Sequence, residues 1–188
     1  LMLALHAAML APIDYWAQPV GILIALLGAA GIYGALYSLV GRIGKARRAS
    51  GSVTAIEQPT PDVLSVSCQL DNKWRGHRPG QFAFITFDEK EGAHPFTIAS
   101  ADRGNRNVSF QIKALGDYTR TLGKRLEVGH AVKVEGPYGR FDVARQDSSA
   151  QQIWIAGGIG VTPFLAWLDS LQQTPNQVSA DFHYCTRD

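Results

Sequence analysis

Between Pro19 and Val40 the chain runs for roughly 22 residues without a charged side chain, and no other stretch limits its possible folds so strongly. At about 1.5 Å rise per residue, a helix of that length matches the ~30 Å hydrocarbon core of a bilayer. Buried helices of soluble domains are usually shorter. Gly28, Gly31 and Gly34 recur at three-residue spacing, which would let a neighbouring helix approach closely. Leu1 to Leu10 is also apolar but too short to span, and no basic region precedes it as a secretory signal requires. It reads as the tail of an earlier helix. Arg42, Lys45, Arg47 and Arg48 crowd behind the run, whereas Ala11 to Gln18 carries Asp14 and no Lys or Arg. The positive-inside rule then predicts a multi-pass protein of the cell membrane with everything after residue 41 in the cytoplasm, and Tyr15 and Trp16 at the outer interface. Residues 1–48 are the expected membrane region, contacting the lipid bilayer.

From Ser50 onward the period changes to two. Leu64, Val66, Cys68 and Leu70 alternate with Ser65, Ser67 and Gln69, and Val108, Phe110 and Ile112 alternate with Ser109 and Gln111. Phe82 to Phe87 and Ala131 to Glu135 are further strand candidates, punctuated by Arg78-Pro79-Gly80 and Gly136-Pro137-Tyr138-Gly139. Such short strands predict a small antiparallel barrel over residues 49–146, interrupted by one helix near Tyr118 to Leu126. Past the polar linker Gln146 to Ala150, a strand at Ile153 to Ala156, a helix at Thr162 to Gln173 and a strand at Val178 to Tyr184 predict one βαβ unit in residues 149–188. One such unit cannot cover both faces of a parallel sheet, so the chain is expected to be truncated at both ends. A net charge of +2 gives no global field for nucleic acid. Cys68 and Cys185 lie too far apart for a CxxC metal site, and Cys185 is expected to be a packing residue.

Three segments carry chemistry. His94-Pro95-Phe96-Thr97-Ile98 offers a flat ring beside a hydroxyl. Gly116-Asp117-Tyr118-Thr119 sits where a strand gives way to a helix, whose unpaired N–H groups favour an anion; Lys113 adds a cation. Gly157 to Phe164 is a strand–loop–helix turn. There Thr162 is the expected N-cap and Pro163 the first helical residue, and Gly157, Gly158 and Gly160 leave space for a phosphate. It is neither a GxGxxG fingerprint nor a P-loop, and a purely structural glycine turn is the lesser alternative for an isolated match.

His-Pro-Phe-Thr, Gly-Asp-Tyr-Thr, Gly-Pro-Tyr-Gly and Gly-Gly-Ile-Gly-Val-Thr-Pro-Phe, in this order behind an apolar helix, resemble the ferric reductase and NADPH oxidase superfamily. The resemblance implies a membrane helix, an antiparallel β-barrel of the ferredoxin reductase-type FAD-binding kind, and the first βαβ unit of an α/β nucleotide-binding domain. It further implies that Phe96 packs on the isoalloxazine and that Thr97 bonds flavin N5. His94 takes the place of the arginine that meets the pyrophosphate in the wider reductase family; imidazole, largely neutral near pH 7, is the weaker anion partner. Lys113 and residues 116–119 would hold the pyrophosphate, and Gly157, Gly158, Gly160, Val161, Thr162 and Pro163 the NAD(P)H. Arg187 is the candidate partner for a 2′-phosphate. Thr97 and Thr162 are the candidate catalytic residues. His6 is the candidate axial ligand of a b-type haem.

The expected function is a membrane-bound oxidoreductase passing electrons from NAD(P)H through FAD to haem and on to ferric iron or oxygen. A reductase of the soluble type with a membrane anchor, donating to a protein partner such as a ferredoxin, is the alternative. A non-catalytic flavin-binding membrane module is a third.

Overall fold

The computed structural model describes residues 2–40, 44–142, 145, 149–173 and 178–186. The chain divides into two compact units, Leu1–Ala46 and Arg47–Asp188. In the first, α1 spans Met2–Leu10, α2 Ile13–Trp16 and α3 Pro19–Leu39. Pro19 stands at the start of α3, where its missing N–H is no loss, and Val40 caps the end, one residue short of the expected limit. A Cβ on Gly21 would lie 2.0 Å from the Tyr15 carbonyl oxygen, so only glycine lets α2 fold back against α3. Gly28, Gly31 and Gly34 face open space. By length and composition α3 is apolar enough to cross a membrane, with a mean hydropathy of 2.0 over its 18-residue window.

In the second unit six strands form an antiparallel sheet in the order β4-β3-β6-β1-β2-β5. They are β1 Arg48–Thr60, β2 Val63–Leu70, β3 Phe82–Thr86, β4 His94–Thr97, β5 Asn107–Lys113 and β6 Ala131–Tyr138. A bridge between Ile98 and Phe110, with Ala99 N–H donating to Ser109 O at 2.8 Å, brings the two sheet edges together and closes the barrel. The inward alternants Val66 and Cys68 of β2, Ala83 and Ile85 of β3, and Phe110 and Ile112 of β5 fill it. The 13-residue β1 was not anticipated by periodicity. It lies between β6 and β2 and breaks register at Val53/Ala55 and Glu57/Thr60. Helix α4, Asp117–Arg125, plugs the barrel with Leu122, which is 2 % exposed.

β7 (Gln152–Gly157) and β8 (Ala180–Cys185) pair in parallel around α5 (Thr162–Leu171), giving the predicted βαβ unit. Trp154, Ala156, Phe164 and Trp167 form its own small core. α5 also packs on the barrel: the Trp167 indole N–H donates to Pro79 O at 3.0 Å, and its ring stacks on Phe141 at 4.6 Å. The approach is close enough that a Cβ on Gly80 (φ +94°) would sit 1.9 Å from the Phe141 carbonyl oxygen. Cys185 is exposed, which corrects its expected packing role; it ends a strand whose other side chains are also largely exposed.

Candidate functional site

The short strand β4 pairs with β3, aligning Ala83 with Phe96 and Phe82 with Thr97. Alternation therefore puts His94 and Phe96 on one face, with ring centroids 6.5 Å apart, and Pro95 and Thr97 on the other. Phe96 and Tyr118 both pack against the barrel core. His94 stacks on Tyr118 at 4.4 Å with 12° between the planes, so the first two sequence motifs meet ring on ring. His94 Nε2 and the Tyr118 hydroxyl are both buried and, among the described residues, have no hydrogen-bond partner. Burial pushes the Tyr118 phenol above its ordinary 10.0, with the nearby Arg125 guanidinium pulling the other way. Pro95 is exposed and Thr97 half-buried. Ile98 is fully buried, and its N–H donates to Gln81 O at 2.9 Å; its side chain belongs to the core and the barrel closure, not to a ligand surface as expected.

α4 begins at Gly116, whose carbonyl accepts the first helical bond from Arg120 N–H at 3.0 Å. The N–H groups of Asp117, Tyr118 and Thr119 therefore precede the helical ladder and point out of its start. The Thr119 hydroxyl organises the turn: it accepts from the N–H of Gly116 at 3.0 Å and of Leu115 at 3.1 Å. Asp117 is fully exposed, 3.9 Å from Arg120. Lys113 is engaged elsewhere than expected, since its ammonium lies 3.1 Å from Asp62. The Thr60 hydroxyl, and then Lys113, hold the Asp62 carboxyl below its usual 3.8.

The glycine turn differs in detail from the expectation. Val161 is the N-cap and Thr162 the first helical residue, because Gly158–Val161 is itself a tight 3-10 turn. Thr162 is buried and donates its hydroxyl to Ile159 O at 2.7 Å, so it braces the loop that it was expected to cap and does not present a free catalytic hydroxyl. Pro163 follows in the first turn of α5, and Val161 packs against the second core. Gly158 has φ +51°, a left-handed conformation that glycine adopts freely. A Cβ at Gly116, Gly157, Gly158 or Gly160 would meet nothing within 4 Å. Among the described residues nothing crowds these four positions, so the backbone there is open to close approach, and only Gly158 is also held by its φ. Arg187 lies outside the described residues. His6 is exposed on α1 in the first unit. Among the described residues, no three His, Cys, Asp or Glu side chains group as a metal site.

The sequence reading missed two contributors to this region. Arg125 lies 6.0 Å from the Tyr118 ring centroid while pairing with Asp88 at 2.5 Å, which fixes the ring beneath His94. Asp142, 1 % exposed, pairs with Arg78 at 3.2 Å where the chain leaves the barrel. Neither pair is close in sequence.

A model of the FAD-binding domain family matches residues 49–142, half of the chain. The protein belongs to that family of FAD-binding domains. Among curated relatives, the anthranilate 1,2-dioxygenase electron transfer component of Acinetobacter baylyi is 26% identical over 152 residues, 79% of this chain and 44% of the relative. The phenol 2-monooxygenase reductase component of a Pseudomonas species is 30% identical over 126 residues, 65% of this chain and 35% of the relative. The chain thus spans less than half the length of either. Ferredoxin-NADP+ reductase from Plasmodium falciparum superposes with a TM-score of 0.60 at 19% identity, covering 74% of this chain and 59% of that one. The fold is therefore an antiparallel FAD-binding domain of the ferredoxin reductase type followed by an α/β unit.

Proposed function

We propose that the chain is the flavin-binding part of an NAD(P)H-dependent FAD oxidoreductase, anchored to a membrane through α3 and donating electrons to a protein partner. The observation that carries this reading is the stacked His94 and Tyr118 pair beside the start of α4, with two buried polar atoms left unpaired and an open glycine in front of them. These residues fit the pyrophosphate end of a flavin dinucleotide. His94, the α4 N–H groups and Thr119 would hold the phosphates. Phe96 would cover the ring, and Thr97, whose hydroxyl has no protein partner among the described residues, would bond its edge. Gly157, Gly158 and Gly160 would receive the nicotinamide dinucleotide, with Thr162 holding the turn. FAD supplies the conversion between two-electron hydride chemistry and one-electron transfer.

The protein-partner reading is favoured by relatives that are named reductase or electron transfer components of oxygenases. A second reading, the ferric reductase and NADPH oxidase type with b-type haem and an outer acceptor of ferric iron or oxygen, is favoured by the apolar helix α3 with Lys45, Arg47 and Arg48 behind it. In that reading the second unit is cytoplasmic and His6 ligates haem. Purified chain mixed with FAD should turn yellow and retain the colour through gel filtration; a folded product that stays colourless in excess FAD refutes the flavin assignment. In the full-length protein, a haem absorbance band reduced after the flavin selects the second reading. Reduction of an added ferredoxin-type protein without such a band selects the first.

A further inference from the structure

Asp169 has two hydrogen-bonding oxygens, and both reach across to the barrel. Oδ2 accepts from Ala101 N–H at 2.8 Å and Oδ1 from the Arg103 guanidinium at 2.7 Å. Ala101 lies four residues beyond Thr97, in the segment whose preceding N–H groups are already fixed: Ile98 to Gln81 O, and Ala99 to Ser109 O. Asp169 itself rides on α5, seven residues after Thr162, so about 10 Å of rigid helix separates it from the glycine turn. A short chain of backbone and carboxylate hydrogen bonds therefore joins the flavin-motif strand to the helix that opens with the dinucleotide loop. Trp167 adds a second fixed point on the same helix through Pro79 O and Phe141.

We infer that Asp169 is a positioning residue: it sets the Gly157–Val161 turn in place relative to the His94–Thr97 strand, and so sets where a nicotinamide bound at the turn meets the flavin. The inference rests on the proposed function for its chemistry, but not for its geometry. Charge-assisted bonds from one carboxylate to a backbone N–H and to a guanidinium fix direction as well as distance. With α5 anchored near its C-terminal half, its N-terminal turn cannot shift without breaking them.

Amide hydrogen exchange on the full 188-residue chain in mild detergent tests this without any cofactor. Asp169→Ala should accelerate exchange about tenfold both at residues 99–103 and at residues 157–162, while Asn107–Lys113 keeps its protection and so reports an intact barrel. Asp169→Asn, which retains an oxygen acceptor for Ala101, should restore most of the protection. Acceleration confined to residues 99–103 overturns the inference, because the carboxylate would then be a local fastener only. In full-length protein loaded with FAD, Asp169→Ala should slow flavin reduction by NAD(P)H about tenfold with FAD affinity unchanged. An unaltered rate also overturns it. If wild-type flavin is reduced by neither NADH nor NADPH, the functional reading fails, and the exchange result still decides the role of Asp169.

Discussion

Tyr118→Phe should move stability and ligand affinity in opposite directions. The phenol ring does structural work through its 4.4 Å stack on His94 and its contact with the barrel core, and phenylalanine keeps both. Only the hydroxyl is lost, and it is buried without a hydrogen-bond partner among the described residues. Leaving such a group unpaired costs about 1–3 kcal/mol, so its removal should stabilise the flavin-free protein by about 1 kcal/mol or more, a rise of about 3 °C in the melting temperature of the barrel. If the hydroxyl is retained because it bonds a ligand, the same substitution should weaken FAD by about 1–3 kcal/mol, roughly 5- to 160-fold in Kd. The raised phenol pKa keeps the hydroxyl a neutral donor across the physiological range, so the comparison does not depend on a charge. Melting followed by circular dichroism, with and without saturating FAD, measures both effects in one protein. A flavin-free variant that melts at or below wild type, or an unchanged FAD Kd, refutes the reasoning.

Burial holds the His77 imidazole below its ordinary 6.5, against the opposing pull of the Ser100 carbonyl and the Asp102 carboxylate. The unfolded chain then binds more protons than the folded one, so stability should fall as pH drops through about 6.5, and His77→Gln should flatten the urea-midpoint profile between pH 7 and 5.5; parallel profiles would exclude His77 as the cause. Burial also pushes the Cys68 thiol up to about 12, whereas Cys185 is exposed. Iodoacetamide at pH 8 should therefore alkylate one thiol per native chain, and two only after unfolding, as read by intact mass. Gly80→Ala forces a Cβ into the Phe141 carbonyl at a left-handed backbone position and should cost at least about 2 kcal/mol in urea denaturation; a smaller loss would show that the seam yields easily.

The strands legible in the sequence were those with one buried and one partly solvated face. β2 and β5 alternate cleanly because Val66, Cys68, Phe110 and Ile112 point inward while serines and glutamines point out. β1 was hidden because it bends. Its register shifts interrupt the period of two, and Gly51 sits where a Cβ would lie 2.2 Å from the Gln69 carbonyl oxygen, so a packing constraint there resembles a turn signal. Pairing partners were hidden for a different reason. Lys113 reads as a free cation beside a phosphate motif, and only the β2–β5 register, which sets it opposite Val63, brings it to Asp62. Asp169 carries no sequence signal of its own, since nothing local marks an acceptor for an N–H 68 residues away.

Glycine gave the site its clearest sequence signal and also its most ambiguous one, because a bare Cα serves two opposite needs. At Gly21, Gly51 and Gly80 the missing Cβ is required by the chain itself, with backbone or side-chain atoms within 2.2 Å of where it would stand. At Gly116, Gly157, Gly158 and Gly160 the same space is open. Openness alone does not mark a site, since Gly28, Gly31 and Gly34 are open as well and Gly158 is also favoured by its left-handed φ of +51°. At Gly116, Gly157 and Gly160 neither crowding by the described residues nor a left-handed φ demands glycine, so the backbone there is simply open to close approach. The distinction depends on three-dimensional packing alone, which is why the motif glycines and the packing glycines look alike in one dimension and separate once the barrel and α5 are placed together.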